Sequence, residues 1–245
     1  MKPIEYERMF AAEDGHWWYQ GMATITRAIL DRHLPRKENR EILDAGCGTG
    51  GAMASILNDY GRVTGFDLSM KGLTFCKARN LKRIFSAFVT KIPIENERFD
   101  LVTSFDVLNH VEDDRLAMKE LTRMLRPEGY LLVRLPAYEW MRRQHDVQVS
   151  TVRRYTCRQV KRLFSSCGFQ SVRLTYANTF LFPLAVANVI FEKIHPPRPD
   201  SSELSTSSGG LNSLFKLILS CEAPFAARFL LPFGLSLVAL GKKGE

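Results

Sequence analysis

The stretch EILDAGCGTGG at residues 41–51 decides the fold of this 245-residue chain. A short apolar run ends in an acid, three glycines follow at alternate positions (Gly46, Gly48 and Gly50), and MASIL then begins a helical pattern. This order is typical of a strand, a tight turn and a helix N-terminus, which together bring backbone amides close to a ligand. Glycine suits these positions because a side chain would hold a nucleoside away from the main chain. The stretch therefore predicts a nucleoside-binding turn in an α/β protein.

Two acids near this turn help to choose the ligand class. Gly46, Gly48 and Gly51 also fit the dinucleotide fingerprint, which is weak on its own. Asp44, just ahead of the glycines, can accept from an ammonium group, and Asp67 ends the next apolar run, VTGFD, at the spacing of a ribose-binding acid. An acid at the entrance to the turn favours a ligand with a positively charged amino-acid portion over one with a pyrophosphate. A glycine-rich turn without a ligand is the remaining alternative.

Further segments occur in the order and register of a known family. ILDAGCGTG is followed by GFDLS, by IPIENERFDLVTSFDVLNHV at residues 92–111 and by LRPEGYLLVRLP. Over roughly residues 41–174 the chain resembles the class I S-adenosylmethionine-dependent methyltransferases, particularly the type 11 group that includes ubiquinone and menaquinone methyltransferases. The resemblance implies a Rossmann-like sheet of seven mostly parallel strands with helices on both faces. It also implies S-adenosylmethionine as cofactor and a methyl-transfer activity, but no particular acceptor.

The resemblance assigns cofactor-binding positions. Asp44 would hold the amino group of the cofactor, and Asp67 would bind the ribose hydroxyls. Relatives commonly have an acid near the end of the third strand that meets the adenine amino group, where this chain has Phe88. We expect the backbone amides of Phe88 and Val89 to meet the adenine instead. The predicted cofactor-binding residues are Asp44, Gly46, Cys47, Gly48, Gly50, Asp67, Leu68, Phe88, Val89 and Phe105.

Composition limits the class of protein. The chain is 45% hydrophobic and 24% charged, which suits one large core in a single α/β domain. Five cysteines form no CxxC pair and no metal spacing, so we expect neither disulfides nor a metal site, and a reducing cytoplasm fits. The opening MKPIEYERMF has acids where an export signal would be apolar. The net charge of +8 permits contact with anionic membranes or phosphorylated substrates, whereas no nucleic-acid-binding motif is recognisable and such a substrate is not expected.

The remaining elements are predicted from their periodicity. Residues 1–40 form an N-terminal helical cap with a helix over 21–34, and residues 41–178 form the cofactor-binding core with the strands RVTGF, IFSAFV, FDLVTSF, YLLVRLP and FQSVRLTYA. Trp18 and Tyr19 precede the cap helix and are candidates for the substrate wall, with packing of that helix onto the core as the alternative. Relatives often carry an arginine after the HWW and aromatic pattern, where this chain has Met22.

Candidate catalytic and substrate-binding residues follow the fourth and fifth strands. Ligands bind beyond the carboxyl ends of such strands, which places His110 at the functional edge as a candidate general base, with a structural role as the alternative. The polar, basic loop over 137–155 is long enough to be functional. In it, His145 is a candidate proton acceptor. Arg153, Arg154 and Tyr155 are candidates for contact with an anionic substrate group. A surface loop held by an ion pair is the alternative.

The last quarter departs from a plain methyltransferase core. Within residues 179–233, two apolar helical segments flank a Pro-, Ser- and Gly-rich stretch over 195–210 that we predict to be a flexible linker. Residues 234–245 then supply the last strand. We interpret the apolar insertion as a lid near the substrate, a membrane-facing patch or an interface between copies of the chain.

These observations predict an S-adenosylmethionine-dependent methyltransferase that acts on a small or lipid-like acceptor, in the cytoplasm or at the inner face of a membrane. Two other classes stay open. One is a non-catalytic cofactor-binding or membrane-associated adaptor with the same fold. The other is a nicotinamide-dependent oxidoreductase that uses the GxGxxG pattern. The oligomeric state is not predicted.

Overall fold

The computed structural model describes residues 2–35, 39–194 and 209–244. The strands are β1 (Glu41–Ala45), β2 (Arg62–Asp67), β3 (Ile84–Ser86), β4 (Phe99–Phe105), β5 (Leu125–Pro136), β6 (Phe169–Ala177) and β7 (Ser236–Lys243). The helices are α1 (Pro3–Glu13), α2 (Trp17–His33), α3 (Gly51–Ser55), α4 (Met70–Ala78), α5 (Asp114–Met124), α6 (Gln144–Gln148), α7 (Cys157–Ser165), α8 (Phe182–Ile194) and α9 (Gly209–Arg228).

The strands form one seven-stranded sheet in the order β3-β2-β1-β4-β5-β7-β6. β1 to β5 pair in parallel, and β7 is antiparallel to both β5 and β6. Pro136 and Ala177 both pair with Ser236, so β6 ends and β7 begins where β5 ends. We call this side of the sheet, where β1, β2, β4, β5 and β6 all end, the carboxyl edge. The predicted seven-stranded, mostly parallel sheet is confirmed.

Helices cover both faces of the sheet, as predicted. Side chains alternate along β5, so Leu131 and Val133 join the core beneath α5 and α7. Leu132 belongs to the opposite core, which includes buried side chains of α2 and α9. All three side chains are fully buried. Each such side chain contributes about 1.5–3 kcal/mol to the free energy of unfolding.

The cap helix is longer than the sequence predicts. Helix α2 begins at Trp17 rather than Gly21, because His16 Nδ1 accepts the Trp18 amide hydrogen at 3.3 Å and so caps the helix. Gly21 then lies inside the helix, where an added Cβ would be 2.5 Å from Leu219 Cδ2. Glycine at this position allows α9 to pack closely along α2.

The apolar insertion begins and ends at the carboxyl edge. It follows β6, includes helices α8 and α9, and is followed by β7. Residues 195–208 of the predicted linker lie outside the described residues, and Gly209 and Gly210 are the first residues of α9. Within the described ranges, every helix falls short of the length and apolarity that crossing a membrane demands.

Candidate functional site

The turn between β1 and α3 wraps around the end of β2. The amides of Gly46 and Cys47 both donate to the Phe66 carbonyl at 2.8 Å. Gly46 and Gly48 have φ angles of 78° and 57°, a left-handed region that glycine adopts without a steric cost. A Cβ on Gly48 would also lie 2.8 Å from Met9 Cε of α1. The turn therefore needs glycine both for its own backbone and for the approach of α1.

Two further predicted residues complete the turn. The Gly50 amide donates to the Cys47 carbonyl at 2.9 Å, at a φ of 83°. The Cys47 side chain is buried, and its Sγ lies 3.9 Å from Cys76 Sγ of α4. The contact with Cys76 raises the pKa of the Cys47 thiol, and burial adds to this effect, so the side chain is a neutral packing group.

Asp44 lies at the carboxyl edge, just before the glycines, and is 1% exposed. Thr103 Oγ1 of β4 donates to Asp44 Oδ1 over 2.7 Å. Burial raises the pKa of the Asp44 carboxyl to about 7, although the Thr103 hydrogen bond and the charge of Arg134 oppose the shift. A ligand that brings a positive charge would stabilise the ionised carboxylate. Asp44 is therefore suited to an ammonium group.

Asp67 lies at the end of β2, on the other side of the glycine turn. Its Oδ2 accepts from the Gly48 amide at 2.9 Å, and its Oδ1 accepts from the Ser69 amide at 2.8 Å. A third donor is the hydroxyl of Tyr6, 3.2 Å from Oδ1. The two amides fix the carboxylate in place. The Tyr6 hydroxyl donates to an oxygen that could instead accept a hydrogen bond from a ligand hydroxyl.

Helix α1, which the sequence reading missed, covers the glycine turn. Its Glu13 accepts a hydrogen bond from Thr49 Oγ1 and lies 3.2 Å from Arg79 Nη2. Phe10 stacks on Phe75 of α4 with 4.5 Å between ring centroids. Burial raises the pKa of the Glu13 carboxyl. The available signal was Pro3 at the first helical turn, followed by Glu5, a combination typical of a helix start.

Replacing Tyr6 by Phe is expected to strengthen the binding of S-adenosylhomocysteine about two- to tenfold. The Tyr6 hydroxyl and a ribose hydroxyl compete for Asp67, and one net hydrogen bond amounts to about 0.5–1.5 kcal/mol. Isothermal titration calorimetry measures the affinity, with Tyr60→Phe, whose hydroxyl bonds to Asp31, as the control. Weaker binding by Tyr6→Phe would instead make the hydroxyl part of the ligand site.

Three predicted cofactor-binding residues follow the neighbouring strands β2 and β3: Leu68, and the two residues expected to meet adenine, Phe88 and Val89. Leu68 and Phe88 are 56% and 60% exposed, whereas Val89 is 9% exposed. The sequence predicted β3 over IFSAFV, but the strand ends at Ser86, so Phe88 and Val89 lie in the segment beyond it. Two exposed apolar side chains thus flank the end of the sheet nearest Asp67. Their contact with adenine stays a prediction.

Arg134 at the end of β5 organises a second group of side chains, and the sequence reading did not single it out. Its guanidinium Cζ lies 4.8 Å from the Trp18 ring centroid and 5.0 Å from the Phe105 ring centroid. Arg134 Nε donates to Asp106 Oδ2 over 2.7 Å. The two predicted aromatic residues are therefore brought together by a guanidinium held between them.

Tyr19 lies against the same group. Its ring contacts Trp18 edge-on with 5.0 Å between centroids. Burial raises the pKa of the Tyr19 hydroxyl, which also senses the charges of Glu13, Arg134 and Asp106. Trp18 and Tyr19 thus lie near the ends of β4 and β5, although they are 86 residues or more before Phe105 and Arg134 in the chain.

The three predicted substrate-binding residues of the loop over 137–155 all have protein partners. Arg154 donates from Nε and Nη2 to the two oxygens of the buried Asp146, at 2.9 and 3.0 Å. Arg153 pairs with Asp114 at 2.8 Å, and the Tyr155 hydroxyl donates to the same carboxylate at 2.9 Å. These contacts anchor the loop against the start of α5. A substrate-binding role for the two arginines and the tyrosine stays a prediction. In this structure the arginines form ion pairs within the protein, as the alternative interpretation expects.

The two candidate bases are His110 and His145. His110 Nδ1 lies 3.2 Å from the Ser150 carbonyl and its Nε2 lies 3.3 Å from Asn109 Nδ2. Burial lowers the pKa of the His110 imidazole, which favours the neutral ring that a general base requires. His145 lies in α6, beside the buried Asp146, and its side chain is half-buried. Neither histidine contacts Asp44, Asp67 or Arg134 through a described hydrogen bond.

Comparison with known proteins defines the class. Residues 43–133, which span β1 to β5, match the family model described as a methyltransferase domain. This match and the relatives described below support the interpretation of the sequence motifs as those of a class I, type 11 S-adenosylmethionine-dependent methyltransferase. S-adenosylmethionine is the cofactor of this family.

Individual relatives cover parts of the chain. Phosphoethanolamine N-methyltransferase 1 from Zea mays is 30% identical over 136 residues, 53% of this chain and 26% of that protein. A ubiquinone biosynthesis O-methyltransferase from Alkalilimnicola ehrlichii is 31% identical over 137 residues, 50% of this chain and 56% of that protein. The chain thus spans about a quarter to a half of the curated relatives it matches.

The fold is shared along the whole chain with a solved structure. Phosphoethanolamine N-methyltransferase 2 from Haemonchus contortus, in complex with phosphomonomethylethanolamine and S-adenosylhomocysteine, aligns with 100% of this chain and 59% of its own. The TM-score is 0.62 and the sequence identity is 17%. At this identity the likeness concerns the fold.

The residues at the carboxyl edge fit the cofactor of the family. The buried Asp44 carboxylate, with its raised pKa, matches the ammonium of an adenosyl amino acid. Asp67, held by two amides, matches a pair of ribose hydroxyls. The turn between these acids is glycine-rich, so little more than main chain separates them.

Proposed function

We propose that this protein transfers the sulfonium methyl group of S-adenosylmethionine to a small or lipid-like acceptor at the carboxyl edge. The observation that carries the proposal is the position of Asp44 and Asp67 on either side of one glycine turn, where a buried carboxylate has no cation bonded to it among the described residues. Asp44 would hold the ammonium group and Asp67 the ribose. Leu68, Phe88 and Val89 would border the adenine.

S-adenosylmethionine supplies an already activated methyl group when it is bound. The task of the protein is therefore to bind, to orient and to exclude water, and positioning of this kind can supply about 7–11 kcal/mol of the barrier reduction. Helix α1, which lies over the glycine turn through Met9 and Glu13, is the element that would exclude water from the cofactor side. His110, neutral because of burial, is the candidate proton acceptor on the other side.

The proposed acceptor site is the aromatic group beyond β4 and β5. Trp18, Tyr19 and Phe105 offer apolar ring surface at the carboxyl edge, the same edge from which the apolar insertion leaves the sheet. The relatives named for phosphoethanolamine and for ubiquinone biosynthesis support an acceptor of small or lipid-like character.

Replacing Asp67 by Ala is expected to weaken S-adenosylhomocysteine binding on the order of thirtyfold, because hydrogen bonds between hydroxyls and a carboxylate amount to about 1.5–3 kcal/mol each. Calorimetry should show the same loss for 5′-methylthioadenosine, which has the ribose but lacks the amino-acid portion. The exposed Asp59→Ala serves as the control. Unchanged binding of both ligands by Asp67→Ala would remove the ribose assignment. NAD, titrated in parallel, tests the oxidoreductase alternative and is expected not to bind.

A non-catalytic cofactor-binding protein is the second candidate. Phe88 in place of an acid, and the Tyr6 hydroxyl on Asp67, favour it. A panel of radiolabelled methyl acceptors separates the two. If the wild type methylates any acceptor and Asp44→Asn abolishes that transfer, the protein is an enzyme. Tight cofactor binding without methyl transfer to any acceptor of the panel supports the adaptor.

A further inference from the structure

The apolar insertion presents large side chains to solvent. Leu184 and Ile190 of α8, Leu217 and Phe225 of α9, and Phe229 and Leu230 after it are each between 48% and 64% exposed. We call these six side chains together the apolar face. Soluble monomers rarely expose so many large apolar side chains on one segment unless that segment binds something.

The apolar face is fixed on the protein by the opposite side of α9. There, Leu219, Ala223 and Ala227 are buried in the core shared with α2. Glu222 is fully buried, and its Oε2 accepts the amide hydrogens of Thr179 and Phe180 at 2.7 and 2.9 Å. These bonds tie α9 to the segment that enters α8. The exposed side of the helix is therefore held outwards.

The exposed charges on the described part of the apolar insertion have one sign. Among the described residues of 179–233, the exposed charged side chains are Lys193, Lys216 and Arg228. Of the acids described there, Glu192 is partly buried and pairs with Arg143, and Glu222 is fully buried. An apolar surface rimmed by cations matches an anionic lipid surface, which attracts each nearby basic side chain by about 1 kcal/mol. In a symmetric dimer through this surface, the described part of the insertion would offer these cations no exposed acid as a partner.

The apolar insertion packs on the loop that follows β5. Both ends of the insertion lie at the carboxyl edge, and Phe182 of α8 packs 5.8 Å from Tyr138 and 6.2 Å from Trp140, on the loop after β5. Trp140 is 50% exposed. Aromatic rings of this kind favour the boundary between water and lipid.

We propose that the apolar face docks this protein on the surface of an anionic phospholipid bilayer, with α8 and α9 lying in the headgroup region. The carboxyl edge would then face the membrane. The inference goes beyond methyl transfer and does not depend on it, since docking needs neither the cofactor nor a particular acceptor.

Vesicle sedimentation with the full chain tests the proposal. The protein is expected to sediment with vesicles of phosphatidylcholine mixed with phosphatidylglycerol, to bind vesicles of phosphatidylcholine alone more weakly, and to lose binding as salt is raised. The double variant Phe225→Ser/Phe229→Ser is expected to bind at least tenfold more weakly, because both rings would leave lipid for water. Lys216→Glu is expected to reduce binding to the anionic vesicles only. Leu116→Ser, which removes an exposed leucine from α5, is the matched control.

Light scattering of the same proteins completes the test. A monomer in solution whose vesicle binding depends on Phe225 and Phe229 supports the proposal. A dimer that Phe225→Ser/Phe229→Ser dissociates would overturn it in favour of a second copy on the apolar face. Equal binding by wild type and the double variant, or no binding to anionic vesicles, would overturn it as well. S-adenosylhomocysteine titrations and the acceptor panel report on the proposed cofactor site and methyl transfer separately, so the two failures are distinguishable.

Discussion

Asp44→Asn is expected to weaken S-adenosylhomocysteine binding at least a hundredfold. The carboxylate is 1% exposed, so the proposed pairing with an ammonium group would take place away from water. Breaking one side of a buried pair costs about 3–5 kcal/mol, which exceeds the loss from a single neutral hydrogen bond. Calorimetry with 5′-methylthioadenosine, which has no ammonium group, should show little change. Retained S-adenosylhomocysteine affinity in Asp44→Asn would remove the central assignment, and Asp59→Asn controls for the change of charge.

The same variant is expected to be more stable than the wild type without ligand. The folded-state pKa of Asp44, about 7, lies above that of an unfolded aspartate, about 3.9. The native state therefore holds the proton more tightly, and the free energy of unfolding falls as pH rises between these values, at up to about 1.4 kcal/mol per pH unit. Urea unfolding at several pH values should show this fall in wild type and a flatter profile in Asp44→Asn. A ligand ammonium offsets the cost of the buried charge.

Cofactor affinity should follow the ionisation of the same carboxyl. Below pH 7 Asp44 must lose a proton before it can accept from the ammonium, so S-adenosylhomocysteine affinity is expected to fall up to about tenfold per pH unit. Above about pH 8 an α-amino group begins to lose its own proton. The affinity should therefore be greatest between these limits. In Asp44→Asn the acid-side dependence should disappear.

The geometry of the glycine turn could be predicted because it is local. Asp44, the glycines and Asp67 belong to two neighbouring strands and one turn, and the φ angles of Gly46 and Gly48 are those that only glycine adopts easily. In such short segments, the residue types alone largely determine the backbone geometry. The Ser69 cap of α4, which the sequence also predicts, accepts the Gly72 amide hydrogen at 3.2 Å for the same reason.

The other side of the site could not be predicted, because it depends on contacts between distant segments. Nothing near Arg134 in the sequence indicates that Trp18 will lie over its guanidinium, since α2 must first pack on the sheet. The basic loop shows the reverse case. Its charge pattern suggested a ligand for Arg153 and Arg154, but the acids that pair with them, Asp114 and Asp146, have no distinguishing pattern.

Arg134→Met is expected to weaken S-adenosylhomocysteine binding a hundredfold or more while leaving 5′-methylthioadenosine binding within about twofold. Arg134 influences the pKa of Asp44, so a cation and an anion lie near each other at the carboxyl edge, which suits the zwitterionic amino-acid portion of the cofactor. The family resemblance implies an arginine after the HWW pattern, where this chain has Met22. Arg134 lies against Trp18 of that pattern, so we expect its guanidinium to contact the cofactor carboxylate instead.

The variants are chosen to separate charge from packing. Methionine at position 134 keeps a long side chain in contact with Trp18 and Phe105. It removes the guanidinium, which can bind a carboxylate through two parallel hydrogen bonds. Arg134→Lys keeps the positive charge but loses the stacking of the planar guanidinium on the aromatic rings. Its affinity for S-adenosylhomocysteine should lie between those of the wild type and Arg134→Met. Arg126→Met removes an arginine from the same strand, where it pairs with Asp100 near the opposite edge, and should leave both ligands unaffected. Equal losses for the two ligands in Arg134→Met would show that the side chain supports the fold of the site and does not bind the carboxylate.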